Sequence, residues 1–224
     1  MLFGGILQNV STYGQFSIVA GYGIQVPGRQ DLKFRRYQDG VLKDNIRTTE
    51  VHSYATPIFN LSASYWLKRY GIRLDFYNWE HISVANELET KEVPPFYKIV
   101  QGRDAFFLSI LRKSSFPFAS KESQEESDKY SYFGIGFGET LTEVEQGETQ
   151  WRAAFKFSYG LSVPIVKKIN AIIAFKYLLT RDIDTLPNQN GWFVDTSGTR
   201  FPFRFGPHWD TRYYVLQTGL QMSF

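Results

Sequence analysis

The C-terminal residues of this chain, 214–224, alternate in polarity with a period of two. The odd positions are mostly small or polar, and the even positions are mostly apolar or aromatic. Successive side chains of a β-strand point to opposite faces, so this segment has one apolar and one polar face. The apolar face consists of Tyr214, Leu216, Thr218, Leu220, Met222 and Phe224. This pattern is typical of a strand that faces lipid on one side.

Composition supports a membrane-spanning fold without helices. Aromatic residues make up 17% of the 224 residues, with 20 Phe and 14 Tyr, which is far above ordinary usage. No stretch approaches the roughly 20 consecutive apolar residues that a membrane helix needs. A chain that crosses lipid without helices must form a closed barrel of strands. The aromatic excess favours such a barrel over a soluble fold.

Charge and cysteine content exclude several classes of function. The chain has no cysteine, which excludes disulfides, thiolate nucleophiles and sulfur-ligated metals. The net charge of +3 comes from dispersed residues, and no basic block indicates nucleic-acid binding. The three histidines, His52, His81 and His208, are far apart, so we expect neither a metal site nor a cofactor. Residues 1–10 lack the features of a secretory signal, so an exported protein would be a mature or trimmed form.

Eight segments of the chain alternate with a period of two. They lie at residues 15–26, 59–67, 72–76, 105–112, 132–138, 155–162, 173–180 and 213–224. In the fourth segment, Phe106, Leu108 and Ile110 face outward only if Phe107 and Leu111 lie inside. The sequence therefore predicts an all-β fold, a single domain over residues 1–224 that forms an eight-stranded antiparallel up-and-down transmembrane β-barrel.

The connections between these segments alternate between long and short. Long loops are predicted at about 27–54, 83–104 and 182–210, with tight turns at 68–71 and 163–170, after an N-terminal segment at 1–12. Outer-membrane barrels have short periplasmic turns and longer external loops, which predicts periplasmic termini. We expect the first loop to continue as a hairpin, because Asp39 and Gly40 form a favoured two-residue turn pair.

Five charged residues share the polar phase of the predicted strands, opposite the lipid-facing phase. They are Arg73, Asp75, Arg152, Lys156 and Lys176. The interior of an eight-stranded barrel is just wide enough to be filled by side chains, where charges can pair with one another. One hypothesis is a hydrogen-bonded plug, and the other is a narrow ion path or gate. The small bore favours the plug.

The glycines of the run 134–138 alternate within one predicted strand. A phosphate-binding loop would require a strand before the glycines and a helix after them. We therefore interpret these glycines as relief of crowding inside the barrel.

The fourth predicted external loop is rich in aromatic residues. It contains Trp192, Phe193, Phe201, Phe203, Phe205 and Trp209. Large apolar residues on an otherwise polar loop usually mark an interaction surface. We predict that this loop, together with the first-loop hairpin, binds a protein partner.

The C-terminal strand 213–224, the segment 132–138 and the rhythm of connections resemble the small eight-stranded outer-membrane barrels of the OmpA and OmpX type. The resemblance implies a bacterial outer-membrane location, contact with lipopolysaccharide and other outer-membrane lipid, and insertion by the barrel assembly machinery. The assembly signal would comprise Tyr214, Leu216, Leu220, Met222 and Phe224. Members of that group serve as anchors, adhesins, narrow pores or parts of larger complexes, and supply no catalytic residues.

A second resemblance concerns His81 and Ser83. The His-x-Ser spacing is similar to that of outer-membrane lipid A deacylases, in which it lies on the lipid-facing surface. Here His81 falls on the inward phase set by Arg73 and Asp75, and a histidine at the barrel rim is the competing interpretation. The leading hypothesis is thus a non-enzymatic structural or interaction protein, followed by a lipid A or phospholipid acyl hydrolase and then by a narrow pore.

Overall fold

The structure of the protein is a computed structural model. The described backbone covers residues 14–28, 32–38, 41–48, 50–87, 97–117, 129–144, 149–184, 189–194 and 200–224. Side chains are described for residues 14–28, 53–82, 103–117, 129–143, 149–180 and 212–224. The N-terminal segment 1–12 and the predicted turn residues Asp39 and Gly40 lie outside the described residues.

Twelve strands run through the described backbone. In chain order they are β1 (Gln15–Pro27), β2 (Leu32–Gln38), β3 (Val41–Thr48), β4 (Glu50–Tyr54), β5 (Thr56–Leu67), β6 (Tyr70–Glu87), β7 (Tyr97–Ser115), β8 (Tyr130–Val144), β9 (Gln150–Val166), β10 (Ile169–Asp184), β11 (Gln189–Val194) and β12 (Arg200–Ser223). Eight of them, β1, β5 to β10 and β12, pair as antiparallel neighbours, and β1 pairs with β12 to close the ring. The predicted eight-stranded antiparallel barrel is confirmed.

The alternation of polarity sets the two faces of the wall. In β7, the side chain of Ile110 is 70% exposed, whereas Phe107 is 2% exposed and Leu111 is 1% exposed. This confirms the phase predicted for the fourth segment. Apolar side chains cover the outer face of every wall strand, as a surface in contact with hydrocarbon requires.

Two tight turns lie at the end of the barrel that holds the C-terminus. Leu67 pairs with Tyr70 around Lys68 and Arg69, and Val166 pairs with Ile169 around Lys167 and Lys168. Both turns fall where tight connections were predicted. Lys68 and Lys168 have positive φ angles of 54° and 71°, a conformation that is uncommon for residues other than glycine.

At the opposite end, strands continue where long loops were predicted. β12 has 24 residues, although about 9–11 residues suffice to cross the hydrocarbon. Within the first predicted loop, Gln38 pairs with Val41, so the β2–β3 hairpin has the two-residue connection expected from the sequence. In the predicted loop 83–104, β6 continues to Glu87 and β7 begins at Tyr97.

The aromatic segment of the fourth connection is also strand, which corrects the predicted irregular loop. Trp192 and Phe193 lie in β11, which pairs with residues 200–205 of β12. The other four aromatic residues, Phe201, Phe203, Phe205 and Trp209, lie in β12 itself. On its other edge, β12 pairs with β2 from Trp209 to Arg204. The physical reason is that this part of β12 would otherwise expose two rows of unpaired backbone groups.

Candidate functional site in the barrel interior and above it

Asp75 lies at the centre of the charged interior. Strand β6 directs its carboxylate inward, where only 3% of the residue is exposed. The Oδ2 atom forms an ion pair with the Nζ atom of Lys156 from β9 and accepts a hydrogen bond of 3.1 Å from Ser109 Oγ. The hydroxyl of Tyr77 donates to Oδ1 at 3.4 Å. A buried charge needs this degree of pairing, because an isolated one is strongly unfavourable.

Lys176 from β10 extends this network to β5 and β12. Its Nζ atom donates to Asn60 Oδ1 at 3.1 Å, to the Tyr77 hydroxyl at 2.8 Å and to Gln217 Oε1. Gln217 Nε2 donates to Asn60 Oδ1 at 3.1 Å. The Tyr77 hydroxyl therefore links the partners of Asp75 to those of Lys176, and residues from β5, β6, β7, β9, β10 and β12 meet in one network.

The two predicted arginines occupy different environments. Arg73 is buried, and its Nε atom donates to Ser64 Oγ at 2.9 Å while its guanidinium lies 4.6 Å from the ring centroid of Tyr132. Arg152 is only half buried and donates to Gln150 Oε1 at 2.9 Å. Four of the five predicted interior charges are therefore fully enclosed, and Arg152 lies outside that group. The alternation of the strand predicted which face carries Arg152, but it did not predict how far the side chain is buried.

Apolar layers lie on both sides of the charged network. On the side of the tight turns, buried apolar residues pack together: Val19, Trp66, Leu111, Tyr132, Ile172 and Ala174. On the other side, a second cluster includes Ile58, Trp79, Phe107, Leu178 and Tyr213. The Nζ atom of Lys156 also lies 5.2 Å from the ring centroid of Phe107. This layered filling is what the plug hypothesis requires.

The alternating glycines of β8 make room for the network. A Cβ atom at Gly136 would collide with Ser109 Oγ and lie 3.2 Å from Cε of Lys156. Both of those side chains bind Asp75. The glycines therefore relieve crowding within a continuous strand, as interpreted from the sequence.

The structure adds Arg103 to the interior charges. Only 2% of Arg103 is exposed, and its guanidinium lies 5.2 Å from the ring centroid of Tyr213. It was not among the charges predicted from the sequence, because the predicted strand began at Ala105. The available signal was its spacing, since Arg103 continues the inward phase of Ala105 and Phe107.

His81 does not lie on the lipid-facing surface. His81 is fully buried inside the barrel, with its ring centroid 5.4 Å from that of Tyr213. Ser83 follows in β6, and its side chain lies outside the described residues. An acyl hydrolase needs its base beside the lipid, and the position of His81 does not provide this.

The residues of the predicted assembly signal share the outer face of β12. All five, Tyr214, Leu216, Leu220, Met222 and Phe224, are exposed on that face. The backbone N–H of Phe224 donates to Phe16 O at 2.8 Å, so the last residue remains in register with β1.

Among the described side chains, no cluster of three or more histidines and carboxylates is arranged to hold a metal ion. None of the described residues belongs to a helix long and apolar enough to cross a membrane.

Comparison with known proteins reveals likeness of fold. The outer membrane protein OprG from Pseudomonas aeruginosa matches with a TM-score of 0.66 and 15% identity, covering 95% of this chain and 97% of OprG. A major outer membrane protein from Thermus thermophilus matches with a TM-score of 0.51 and 11% identity, covering 95% of this chain and 100% of that protein. No protein-family model matches, and neither does any curated protein. The closed strand pairing, the apolar outer face and these likenesses show that this chain has the fold of small eight-stranded outer-membrane β-barrels.

Proposed function

We propose that this barrel is a plugged membrane anchor that presents a sheet above the outer membrane to a protein partner. This outer sheet consists of β2, β3, β11 and residues 200–209 of β12. The observation that carries the proposal is that β12 is a single strand that belongs to both structures. One part of it is a strand of the barrel wall, and the other part is a strand of the outer sheet. A surface built on a continuous strand is held rigidly relative to the barrel, which reduces the entropic cost of binding.

Strand pairing brings together the two contact surfaces predicted from the sequence. β12 pairs with β2 at Arg204 and Tyr37, and with β11 at Phe203 and Gly191. The first-loop hairpin and the aromatic segment are thus neighbouring parts of one sheet. Aromatic residues are enriched among those that dominate binding energy at protein interfaces.

The filled interior favours the function of a membrane anchor and argues against that of an ion channel. Asp75, Lys156 and Lys176 are held by partners on several strands, between two apolar layers. Ion flow would require these hydrogen bonds to break together. The barrel then contributes to function by carrying and orienting the outer sheet.

Partners other than a protein belong to the same proposal. We expect lipopolysaccharide and other outer-membrane lipid around the apolar outer wall. We also expect the barrel assembly machinery to recognise the C-terminal strand through its exposed alternate residues, among them Leu216 and Phe224.

The test is simultaneous replacement of Trp192, Phe203 and Trp209 by serine. We expect loss of partner copurification from mild detergent, with heat-modifiable gel migration unchanged, because the substitutions lie outside the membrane-spanning wall. The matched control replaces three aromatic residues exposed on that wall, Tyr65, Tyr70 and Tyr159, by serine. Copurification should survive the control. Unchanged copurification in the outer-sheet variant would contradict the proposal.

A further inference from the structure

Three buried polar side chains surround Ser64 on the inner face of the barrel wall. Ser17 lies directly opposite Ser64 in β1, Arg73 lies directly opposite it in β6, and Trp66 occupies the next inward position of β5. Ser17 is 0% exposed, Trp66 is 1% exposed and Arg73 is 2% exposed. Opposed side chains of neighbouring strands have Cβ atoms roughly 4.5–5.5 Å apart, so Ser17 and Arg73 closely flank Ser64.

Each of these three residues carries one atom that has no hydrogen-bond partner among the described residues. The atoms are Ser17 Oγ, Trp66 Nε1 and Arg73 Nη2. Arg73 binds Ser64 Oγ through its Nε atom at 2.9 Å, which leaves Nη2 available to another group. Buried polar groups nearly always have a partner, because an unpaired one is unfavourable. The three atoms therefore indicate a bound group that is not part of the chain.

The chemistry of these atoms requires that the bound group accept hydrogen bonds. The indole Nε1 of Trp66 and the guanidinium Nη2 of Arg73 are donors only, and the hydroxyl of Ser17 can donate as well as accept. A group placed among them can therefore accept from all three.

The half of the barrel away from the tight turns offers a comparison. Its buried atoms without a partner among the described residues include Gln25 Oε1, Trp79 Nε1 and Thr142 Oγ1. The first is an acceptor, the second is a donor, and the third can be either. Water suits such a mixed set, because it donates and accepts. The cluster around Ser64 is distinguished by its excess of donors.

The charges of the interior favour an anion as the acceptor. Arg73, Lys156 and Lys176 are buried cations, and Asp75 is the one carboxylate among the buried described side chains. Asp75 forms its ion pair with Lys156. Phe224 at the chain end is 60% exposed, and its carboxylate is not a partner of Ser17 Oγ, Trp66 Nε1 or Arg73 Nη2. A negative charge near Arg73 would reduce the repulsion among the three cations.

We propose that a small monovalent anion of the size of chloride binds inside the barrel, where it accepts hydrogen bonds from Arg73, Ser17 and Trp66. Hydrogen bonds to an ionised acceptor are stronger than those to a neutral one, and the guanidinium supplies the opposite charge. A small anion is required because side chains nearly fill the interior of an eight-stranded barrel. The anion becomes part of the plug, and its binding does not depend on the function proposed for the outer sheet.

The first experiment measures the stability of the full chain in lipid vesicles by urea titration, while chloride replaces gluconate at constant ionic strength. Gluconate is too large for the filled interior, and constant ionic strength keeps charge screening unchanged. The test variant is Ser17→Ala, which removes one donor without breaking a hydrogen bond to a described residue. The control is Ser158→Ala, which alters another buried serine, whose hydroxyl donates to Gly134 O at 3.4 Å.

We expect the urea midpoint of the unmodified chain to rise with the logarithm of chloride concentration, because a ligand that binds only the folded state stabilises it. In Ser17→Ala the rise should begin at a chloride concentration at least about tenfold higher, because a hydrogen bond to an ion is lost. In Ser158→Ala it should begin within about twofold of the unmodified chain. The same rise in all three proteins would indicate a general salt effect and overturn the proposal, as would no rise in the unmodified chain.

A second variant, Trp66→Phe, repeats the test with an aromatic ring kept in the apolar layer. It removes the Nε1 donor, so the rise should again begin at higher chloride than in the unmodified chain. An unchanged chloride dependence in both Ser17→Ala and Trp66→Phe would overturn the proposal. Heat-modifiable migration checks that each variant is folded.

A second experiment locates the anion directly. Crystals of the full chain are grown in sodium bromide, and anomalous diffraction is measured at the bromine absorption edge. We expect an anomalous difference peak within hydrogen-bond distance of Arg73 Nη2 and Ser17 Oγ. Electron density at this position without an anomalous signal would identify water and overturn the proposal.

Discussion

The two faces of strand β6 reverse the usual relation between polarity and burial. On the outer face, Ile72 is 57% exposed and Leu74 is 62% exposed, whereas Arg73 and Asp75 between and beside them are buried inside. In water this arrangement would be strongly unfavourable. In a membrane, hydrocarbon covers the outer face, and the charges are tolerable because partners from other strands surround them.

The two faces also differ in what they demand of each side chain. The outer face needs apolar character but no specific partner, so it should tolerate exchange among apolar residues. The interior depends on particular pairs, such as Asp75 with Lys156, so removal of one partner leaves the other uncompensated. Substitutions on matched positions of the two faces can test this difference.

The largest effect is expected from Asp75→Asn in the interior. The substitution leaves buried Lys156 without its carboxylate, and loss of one partner of a buried ion pair costs about 3–5 kcal/mol. The free energy of unfolding, measured by urea titration in lipid vesicles, should fall by that amount. Asp104→Asn is the control, because Asp104 accepts its hydrogen bond from Asn78 in an exposed position, and it should cost less than about 1.5 kcal/mol.

A double variant sharpens that prediction. Asp75→Asn combined with Lys156→Met removes both charges, and we expect it to recover most of the lost stability. Equal losses for Asp75→Asn and Asp104→Asn would mean that the interior charges do not form a paired plug.

A charge placed on the outer face should lower the free energy of unfolding by a somewhat smaller amount. Leu108→Lys introduces an ammonium on the lipid-facing side of β7, opposite Leu74. A lysine near the bilayer midplane of a barrel costs about 2–4 kcal/mol, falling to about 0–1 near the interface. Ile165→Lys, two residues before the turn at Lys167, is therefore the control and should cost about 1 kcal/mol or less. Equal penalties at both depths would contradict the lipid-facing assignment.

Crowding the interior with an added methyl group should lower the free energy of unfolding by less than the loss of Asp75. Gly136→Ala would force apart Ser109 and Lys156, and overpacking in a well-packed core costs about 1–3 kcal/mol. Adding Ser109→Ala removes the colliding oxygen, so a double-mutant cycle should show coupling between the two positions. Strict additivity would show that the glycine is not required by this contact.

The last prediction concerns lipid A, for which no effect of the protein is expected. Because His81 is buried inside the barrel and the acyl chains lie outside, cells with and without the protein should have the same lipid A acyl pattern. Mass spectrometry of extracted lipid A measures this directly. An acyl change that disappears with His81→Ala would contradict this prediction and support the acyl hydrolase hypothesis.

Strand number, strand phase and the first hairpin could be predicted from local sequence. Ile110 and Phe107 were assigned to opposite faces correctly, because alternation along a strand is independent of neighbouring strands. The two-residue connection between Gln38 and Val41 followed from turn chemistry. Strand ends were harder, because backbone pairing continues through polar residues beyond the hydrocarbon, and for this reason Arg103 was missed.

The sequence by itself determined which residues face lipid and which face the interior, since a period of two is a property of the strand alone. Only the tertiary structure decided which interior groups meet. Asp75 and Lys156 are 81 residues apart, and Lys176 and Asn60 are 116 apart. Their contacts depend on the stagger between strands that barrel closure imposes, and on the pairing that joins β2 and β11 to β12. That stagger is a collective property of all eight wall strands, so no local segment encodes it.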